Sequence, residues 1–452
     1  MTVSDLLNDA ARRAQRYLAG IGDRSVAPSS AALAGLATFE RELPGQSCSP
    51  EEVLAELDRF GSPATVASAG GRYFGFVVGG ALPVTVAAAW LATAWDQNAG
   101  LVVLSPVSAA LEKVALRWVL EFLGLPTECG AGFVTSATAA NFASLAAARH
   151  ALLARAGWDV EGQGLFGAPP LTVVVSEEVH ASVRKALSML GLGRDRVVTV
   201  PCDAQGCMRL ADFPQVDART IVCVQAGNVN TGSFDPIARI CELARAGGAW
   251  VHVDGAFGLW AAAAPTRAHL ARGVGQADSW AVDAHKWLNV PYDSGLVLVR
   301  DATALRAAMS VEAAYLMQSG DRVPYQYTPD FSRRARGVEV WAALRQLGRS
   351  GLADLIERTC RFAQRLAEGL TLAGHRVLNE VVLNQVLVSF GSAERTRAII
   401  ERIQHDGTCW CGGTVWQGHT AMRISISSWA TTGADIDRSL EAILRAADAA
   451  PP

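Results

Sequence analysis

The chain has 452 residues, half of them hydrophobic and 18% charged, which supplies a sizeable core and excludes disorder for its bulk. Lys plus Arg total 40 against 43 Asp plus Glu, a formal net charge of −3, so there is neither a basic footprint for nucleic acid nor a polybasic membrane patch. Nine scattered cysteines in a chain this long read as reduced thiols rather than a disulfide framework. The first residues carry acids early and lack an apolar run ending in a cleavage site. The run from Ala81 to Ala94 contains a proline and is too short to span a bilayer. A cytoplasmic location is expected, with no membrane and no nucleic-acid partner.

Residues 5 to 20 predict an amphipathic helix with Leu6, Leu7, Ala10, Ala14 and Leu18 on one face, of the kind that packs on another domain or subunit. A second helix is predicted over Pro50–Phe60, with Ser49 as N-cap and Glu51 and Glu52 in its first turn. Gly71–Gly80 is too glycine-rich for a helix and reads as strand or loop. From about residue 100 to 300, β-branched runs appear at Leu171–Val175, Val197–Val200, Ile221–Val224, Trp250–Val253 and Leu296–Val299. Helical segments such as Ser182–Leu190 and Pro236–Ala246 lie between them, which predicts βαβ units and a mostly parallel sheet covered on both faces. A long helix over Val340–Leu372, a strand at Val386–Phe390, a helix at Glu394–His405 and a strand at Met422–Ser427 predict a smaller α+β domain. The expected division is an N-terminal helical segment, 1–82, a large α/β domain, 83–343, and a small C-terminal domain, 344–452.

Four segments carry chemistry. In Val282-Asp283-Ala284-His285-Lys286-Trp287, a lysine between apolar stretches either snorkels to the surface or, in a dry site, becomes a nucleophile able to condense with an aldehyde. In Trp250-Val251-His252-Val253-Asp254-Gly255-Ala256-Phe257, Asp254 ends a buried strand, where open α/β sheets bind ligands; the alternative is an aspartate capping the next turn. The run from Gly132 through Ser136, Ala137 and Thr138 to Asn141 places small and hydroxyl residues at a helix start, a phosphate cradle or an ordinary N-cap. It has neither a Walker lysine nor G-x-G-x-x-G, so a nucleoside triphosphate or dinucleotide is not favoured. In Ser176-Glu177-Glu178-Val179-His180, the histidine follows a strand and could lie against a flat ring or simply cap the next helix. Cys409, Cys411 and His419 lack a second cysteine pair at zinc-site spacing, so no metal is expected.

In this order the segments resemble the group II pyridoxal-phosphate-dependent amino acid decarboxylases, which include aromatic amino acid, glutamate and histidine decarboxylases. The resemblance covers nearly the whole chain. It is carried by Ala284-His285-Lys286-Trp287, His252-Val253-Asp254-Gly255-Ala256, Asn230-Thr231-Gly232-Ser233-Phe234-Asp235-Pro236 and Arg72-Tyr73-Phe74-Gly75-Phe76. It implies the α/β fold type I of pyridoxal-phosphate enzymes, aspartate-aminotransferase-like, with a mostly parallel central sheet. It also implies pyridoxal 5'-phosphate as cofactor and decarboxylation of an L-amino acid through a Lys286 Schiff base and a quinonoid intermediate. Asp254 would pair with the pyridinium nitrogen. His180 would stack on one ring face and Ala256 lie beneath the other. Ser136, Ala137 and Thr138 would bind phosphate, helped by His285 or Asp283. Ser136-Ala137-Thr138 looks like the Ser-Ala-Ser of the aromatic members, and Gln225-Ala226-Gly227-Asn228 replaces a turn that often holds threonine.

Ala314-Tyr315-Leu316 matches the family's lead into a loop whose tyrosine protonates the carbon that has lost carbon dioxide. Counting back from Arg333-Arg334 puts that tyrosine at Tyr325, with Tyr327 as the other choice. Related aldehyde synthases tend to carry phenylalanine there, so a tyrosine favours simple decarboxylation. Arg423 matches a small-domain arginine that either touches a carboxylate or braces the domain. Val78, Gly79 and Asn98 fall where the family lines its substrate pocket. With Val77, Gly80, Gly100 and Val102 around them, the aromatic partners of a catechol ring are mostly missing. The family implies a homodimer clasped by the N-terminal helix. The same fold also runs transamination, aldolase-like cleavage and decarboxylation-dependent oxidation to an aldehyde. These stay open, as does a non-catalytic cofactor-binding role.

Overall fold

The computed structural model of the chain describes residues 2–311 and 322–450. It divides into two compact units, one of Met1–Val78, Arg365–Leu378 and Leu387–Pro452, the other of Gly79–Gln364 and Asn379–Val386.

The larger unit is built on a seven-stranded sheet: β1 (Gly130–Val134), β2 (Thr172–Ser176), β3 (Val198–Val200), β4 (Thr220–Gln225), β5 (Trp250–Asp254), β6 (Ser279–Asp283) and β7 (Gly295–Val299). The order is β1-β7-β6-β5-β4-β2-β3, and β7 alone runs antiparallel to its neighbours. Strands β4 to β7 are buried along their whole length, which is why they read as near-continuous apolar runs rather than as alternation. The five expected strands form within a residue or two of their predicted bounds. Two more, β1 and β6, carry no strong strand pattern: β1 is Gly-Ala-Gly-Phe-Val, and β6 begins and ends on polar residues.

Because β1 and β6 both oppose β7, the strands β1 to β6 all end at one edge of the sheet. Gly295, the first residue of β7, pairs with both Val134 and Asp283, so register fixes that edge. The helix Ala137–Arg155 starts there and packs on β5, β6 and β7. Its buried face is mostly alanine, including Ala140, Ala143, Ala147 and Ala148. Alanine suits the position twice over, as the best helix former and as a side chain short enough for close approach to the sheet. The long helix Gly337–Leu372 runs through residue 344, with a non-helical residue at Gly348 (φ 54, ψ −167).

In the other unit, a sheet of order β10-β11-β9-β8 comprises β8 (Arg376–Val377), β9 (Gln385–Ser389), β10 (Gly412–Trp416) and β11 (His419–Ser425). The N-terminal helix Val3–Gly20 opens with a capping box between Thr2 and Asp5 and has no buried residue. The Arg72–Phe76 motif is a loop with a single bridge, Tyr73 to Trp410. Arg72 donates to the carbonyls of Gly22, Arg24 and Thr408, and Tyr73 stacks on Trp410 with ring centroids 5.0 Å apart. Phe76 and Val77 both adopt positive φ, 51° and 60°, a costly conformation for a β-branched residue that only a well-determined surrounding sustains. No described helix is long and apolar enough to cross a membrane.

Candidate active site

The edge where β1 to β6 end gathers most of the chemistry-bearing residues of the larger unit. Lys286 follows β6, and its Nζ lies 3.0 Å from Asp283 Oδ2. Its position is fixed from both sides. Trp287 is fully buried and donates from Nε1 to Thr359 Oγ1 at 3.0 Å. Gly79 packs so tightly on the Lys286 carbonyl that any Cβ there would collide with it.

Asp254 ends β5, buried, with three donors on its carboxylate. Oδ2 accepts from Asn141 Nδ2 at 3.1 Å and Ser182 Oγ at 3.3 Å, and Oδ1 from the Ala256 N–H at 3.2 Å. These three donors fix the orientation of the carboxylate. Behind it runs a chain whose directions are forced. Asn141 must donate its Nδ2 to the carboxylate, so its Oδ1 accepts from His252 Nε2, 2.8 Å away. His252 Nδ1 then accepts from Ser279 Oγ at 2.9 Å, and Ser279 accepts in turn from Trp250 Nε1 at 2.9 Å. Burial pushes the His252 imidazole down to about 4, against the pull of Asp254, so this ring is neutral at pH 7.

Ser136 is the N-cap of the helix Ala137–Arg155 and makes no side-chain cap, so its hydroxyl is not engaged in closing the helix. Gly295 sits against it: a Cβ there would come within 2.6 Å of the Ser136 carbonyl carbon. The Ala137 N–H donates to Asp283 Oδ1 at 2.5 Å. His285 accepts at Nδ1 from the Ser294 N–H at 3.1 Å, which leaves Nε2 facing Asp283 Oδ2 at 3.7 Å. Burial holds the His285 imidazole below its ordinary value, with Asp283 opposing. His180 is exposed at the start of the helix Ala181–Met189, with Nδ1 2.7 Å from Ser182 Oγ.

Lys286, Asp254, Asp283, His285, Ser136, Ala137, Thr138, His180 and Ala256 therefore lie on strand ends or helix starts at this edge. Asn98 is engaged elsewhere: its Oδ1 accepts from the N–H groups of Gly100 and Arg333, and its Nδ2 donates to Ser332. Its amide braces the 97–102 stretch. Tyr325 is buried, stacked on Phe331 at 4.8 Å, with its N–H on the Gly100 carbonyl. Tyr327 packs in the core beneath the Arg322 guanidinium, 4.5 Å from the ring centroid. Both tyrosines are held by packing. Ala314, Tyr315 and Leu316, and residues 318–321 of the loop expected over 318–328, lie outside the described residues. Val78 and Arg423, the latter on β11 opposite Gly412, belong to the smaller unit.

The sequence reading missed Asn141 and Ser182 as partners of Asp254, and His252 as the support behind Asn141. Two spacings carried the signal. His252 and Asp254 are two residues apart on a strand and share a face. Asn141 is four residues after Ala137, on the same face of the helix as the cradle's first residue.

Solved structures share this fold. A crystal structure of Oryza sativa TDC with PLP and tryptamine has a TM-score of 0.90 at 22% identity, covering 99% of this chain and 97% of that one. A crystal structure of mouse CSAD has 0.89 at 22%, covering 98% of each. The likeness defines the class of fold, type I of the pyridoxal-phosphate-dependent enzymes. The chain belongs to the pyridoxal-dependent decarboxylase family, whose conserved-domain model matches residues 42–391. Among its relatives are a histidine decarboxylase of Drosophila melanogaster, 31% identical over 74% of this chain, and tryptophan decarboxylase 1 of Oryza sativa subsp. japonica, 28% over 72%. The matched region spans 42% of the first relative's length and 70% of the second's.

A pyridoxal phosphate group fits most of these residues. The uncapped helix start and the glycine-lined floor suit a phosphate, the hydrogen-bonded Asp254 carboxylate suits a protonated ring nitrogen, and a lysine stands beside them. One residue fits less simply: Asp283, a carboxylate inside the phosphate cradle.

Proposed function

We propose that the chain is a pyridoxal-phosphate-dependent L-amino acid decarboxylase that releases the corresponding amine and carbon dioxide, with Lys286 carrying the cofactor covalently. When bound, the cofactor supplies an electron-accepting ring for the pair left by the departing carboxylate. The chain's own residues do the rest. Asp254, whose carboxylate is oriented by Asn141, Ser182 and the Ala256 N–H, would pair with the ring nitrogen. Ser136, Thr138 and the helix start hold the phosphate. His180 and Ala256 offer an imidazole and a small side chain to the two ring faces. Tyr325 is the proposed proton donor, and that role requires its ring to leave the stack on Phe331. Val78, Gly79 and Arg423 are proposed on the substrate side, with Asn98 acting through the backbone it braces.

The observation that carries this reading is the arrival of Lys286 and Asp254, 32 residues apart in the chain, at the ends of adjacent strands beside one uncapped helix start. The working form is proposed to be a homodimer. The helix Pro83–Trp95 exposes Trp90, Leu91 and Trp95, and Val103, Leu104 and Val107 are exposed close behind it in sequence, apolar side chains that a subunit contact would cover. Nine free cysteines agree with a reducing, cytoplasmic compartment.

The test is product analysis by mass spectrometry, with pyridoxal phosphate and a panel of amino acids. An amine with stoichiometric carbon dioxide is expected, and Lys286→Ala should abolish both it and the absorbance of lysine-bound cofactor. Keto acid or aldehyde from the parent chain would replace decarboxylation with another reaction of the fold. Tyr325→Phe should divert amine toward aldehyde, and an unchanged amine yield removes Tyr325 from its role.

A further inference from the structure

Asp283 puts a carboxylate at the helix start that the proposed function assigns to the phosphate. Its side chain is almost wholly buried, Oδ1 accepts from the Ala137 N–H at 2.5 Å, and Oδ2 lies 3.0 Å from Lys286 Nζ and 3.7 Å from His285 Nε2. The helix-start N–H, the histidine and the positive end of the helix are the groups a phosphate would use. An ionised carboxylate can only accept hydrogen bonds, so beside a phosphate dianion it offers repulsion and no bond. The Lys286 ammonium that balances it is also consumed as a simple cation once that lysine carries the cofactor.

We propose that Asp283 is a proton-linked element of the phosphate site: it takes one proton from solvent when the phosphate binds and returns it when the phosphate leaves. Protonated on Oδ2, the carboxyl keeps Oδ1 on Ala137 and turns its other oxygen into a donor toward the phosphate. This inference rests on the cofactor reading above. The surroundings offer few other groups that could take up the proton. The helix start supplies only a backbone N–H, and β7 supplies Gly295. Trp260 Nε1 donates to the Asp283 carbonyl, not to its carboxylate. Asp254 at the end of β5 has three donors of its own, and Asp293 is held by Arg336 at 2.8 Å. Lys286 condenses with both ligands of the test, so its protons cancel in the comparison; His285 is the other titratable neighbour, and the variant separates it.

The test compares pyridoxal 5'-phosphate with 5'-deoxypyridoxal, which keeps the free aldehyde that condenses with lysine but lacks the phosphate, so their difference isolates the phosphate arm. Calorimetry in two buffers of different ionisation heat counts protons between pH 7 and 8.5, above the second ionisation of a phosphate monoester near about 6. In the parent chain the phosphate arm should take up close to one proton. The affinity ratio of the two ligands should fall about tenfold per pH unit. In Asp283→Asn, an isostere that donates permanently, the uptake should vanish and the ratio should vary by less than about twofold across the same window. A parent chain with no uptake overturns the inference, and that count stands even where the variant fails to fold. An Asn variant that still takes up one proton overturns it too and moves the proton to His285. A parent chain that binds neither ligand at a lysine overturns the cofactor reading itself, and this inference with it.

Discussion

His252 offers the sharpest physical test of the network behind Asp254. The imidazole is fully buried and, by burial, pushed from 6.5 down to about 4. Between those values the unfolded chain binds a proton on this side chain and the folded chain does not, so stability rises with pH through the window and falls as pH drops. The contribution is complete above about pH 6.5 and amounts to about 3 kcal/mol at its full extent, with about 2 kcal/mol gone by pH 5. Asp235 works against it in the parent chain. Its carboxyl is raised to about 6 by burial, so its own contribution falls as pH rises toward 6. A difference measurement cancels that term. Urea unfolding of the parent chain and of His252→Gln at half-unit steps from pH 5 to 7.5 should give a free-energy gap that widens with pH and levels off near pH 7. Glutamine keeps an amide within reach of Asn141 and does not titrate. A gap of constant size across the range would show that the folded imidazole titrates as it does in the unfolded chain, and the neutral assignment would fall with the directions of the whole network.

Other expectations concern the frame and the surface. Glu112 is buried between Arg333 and Arg322, at 2.9 and 2.8 Å, so Glu112→Ala strands a guanidinium that is almost wholly buried and should lower stability by about 3–5 kcal/mol. A urea midpoint equal to the parent's would refute that. Trp90→Glu places a charge on the exposed apolar face of the helix Pro83–Trp95 and should convert a dimer to monomer in sedimentation velocity at micromolar concentration. A parent chain that sediments as a monomer would remove the dimer proposal altogether.

The parts of the site legible in the sequence were those whose chemistry is announced by residue type and place. A lysine between apolar runs, an aspartate ending a buried strand and hydroxyls at a helix start are each readable from one segment. Asn141 and Ser182 were not, because each finds its role only by meeting Asp254 across more than 70 residues. Strand β1 was hidden by its two glycines, which weaken any strand pattern. One of its glycines has a structural cause: a Cβ on Gly132 would meet the Tyr327 carbonyl at 2.9 Å. Asn98 was read as a substrate contact from its place in the chain. Nothing local shows that Gly100, Ser332 and Arg333 engage its amide first. The resemblance groups Asp283 with the phosphate ligands, and nothing local shows that its carboxylate accepts from the Ala137 N–H and faces Lys286 and His285.

The topology of the large sheet also sets an order of events during synthesis. The helix start proposed for the phosphate begins at Ser136, yet Gly295 packs against it, Asp283 accepts from its first N–H, and β1 has its sheet partner in β7. Ala137 and Asp283 are 146 residues apart, a stretch that takes a ribosome roughly 10–30 s to translate. Until β7 emerges, the helix start has no wall and β1 is an unpaired edge. The cofactor therefore cannot template the early fold. It meets a site that closes late, after the parallel strands β2 to β5 have had time to pair, and a chain stalled before β7 would present strands without a place for the ligand.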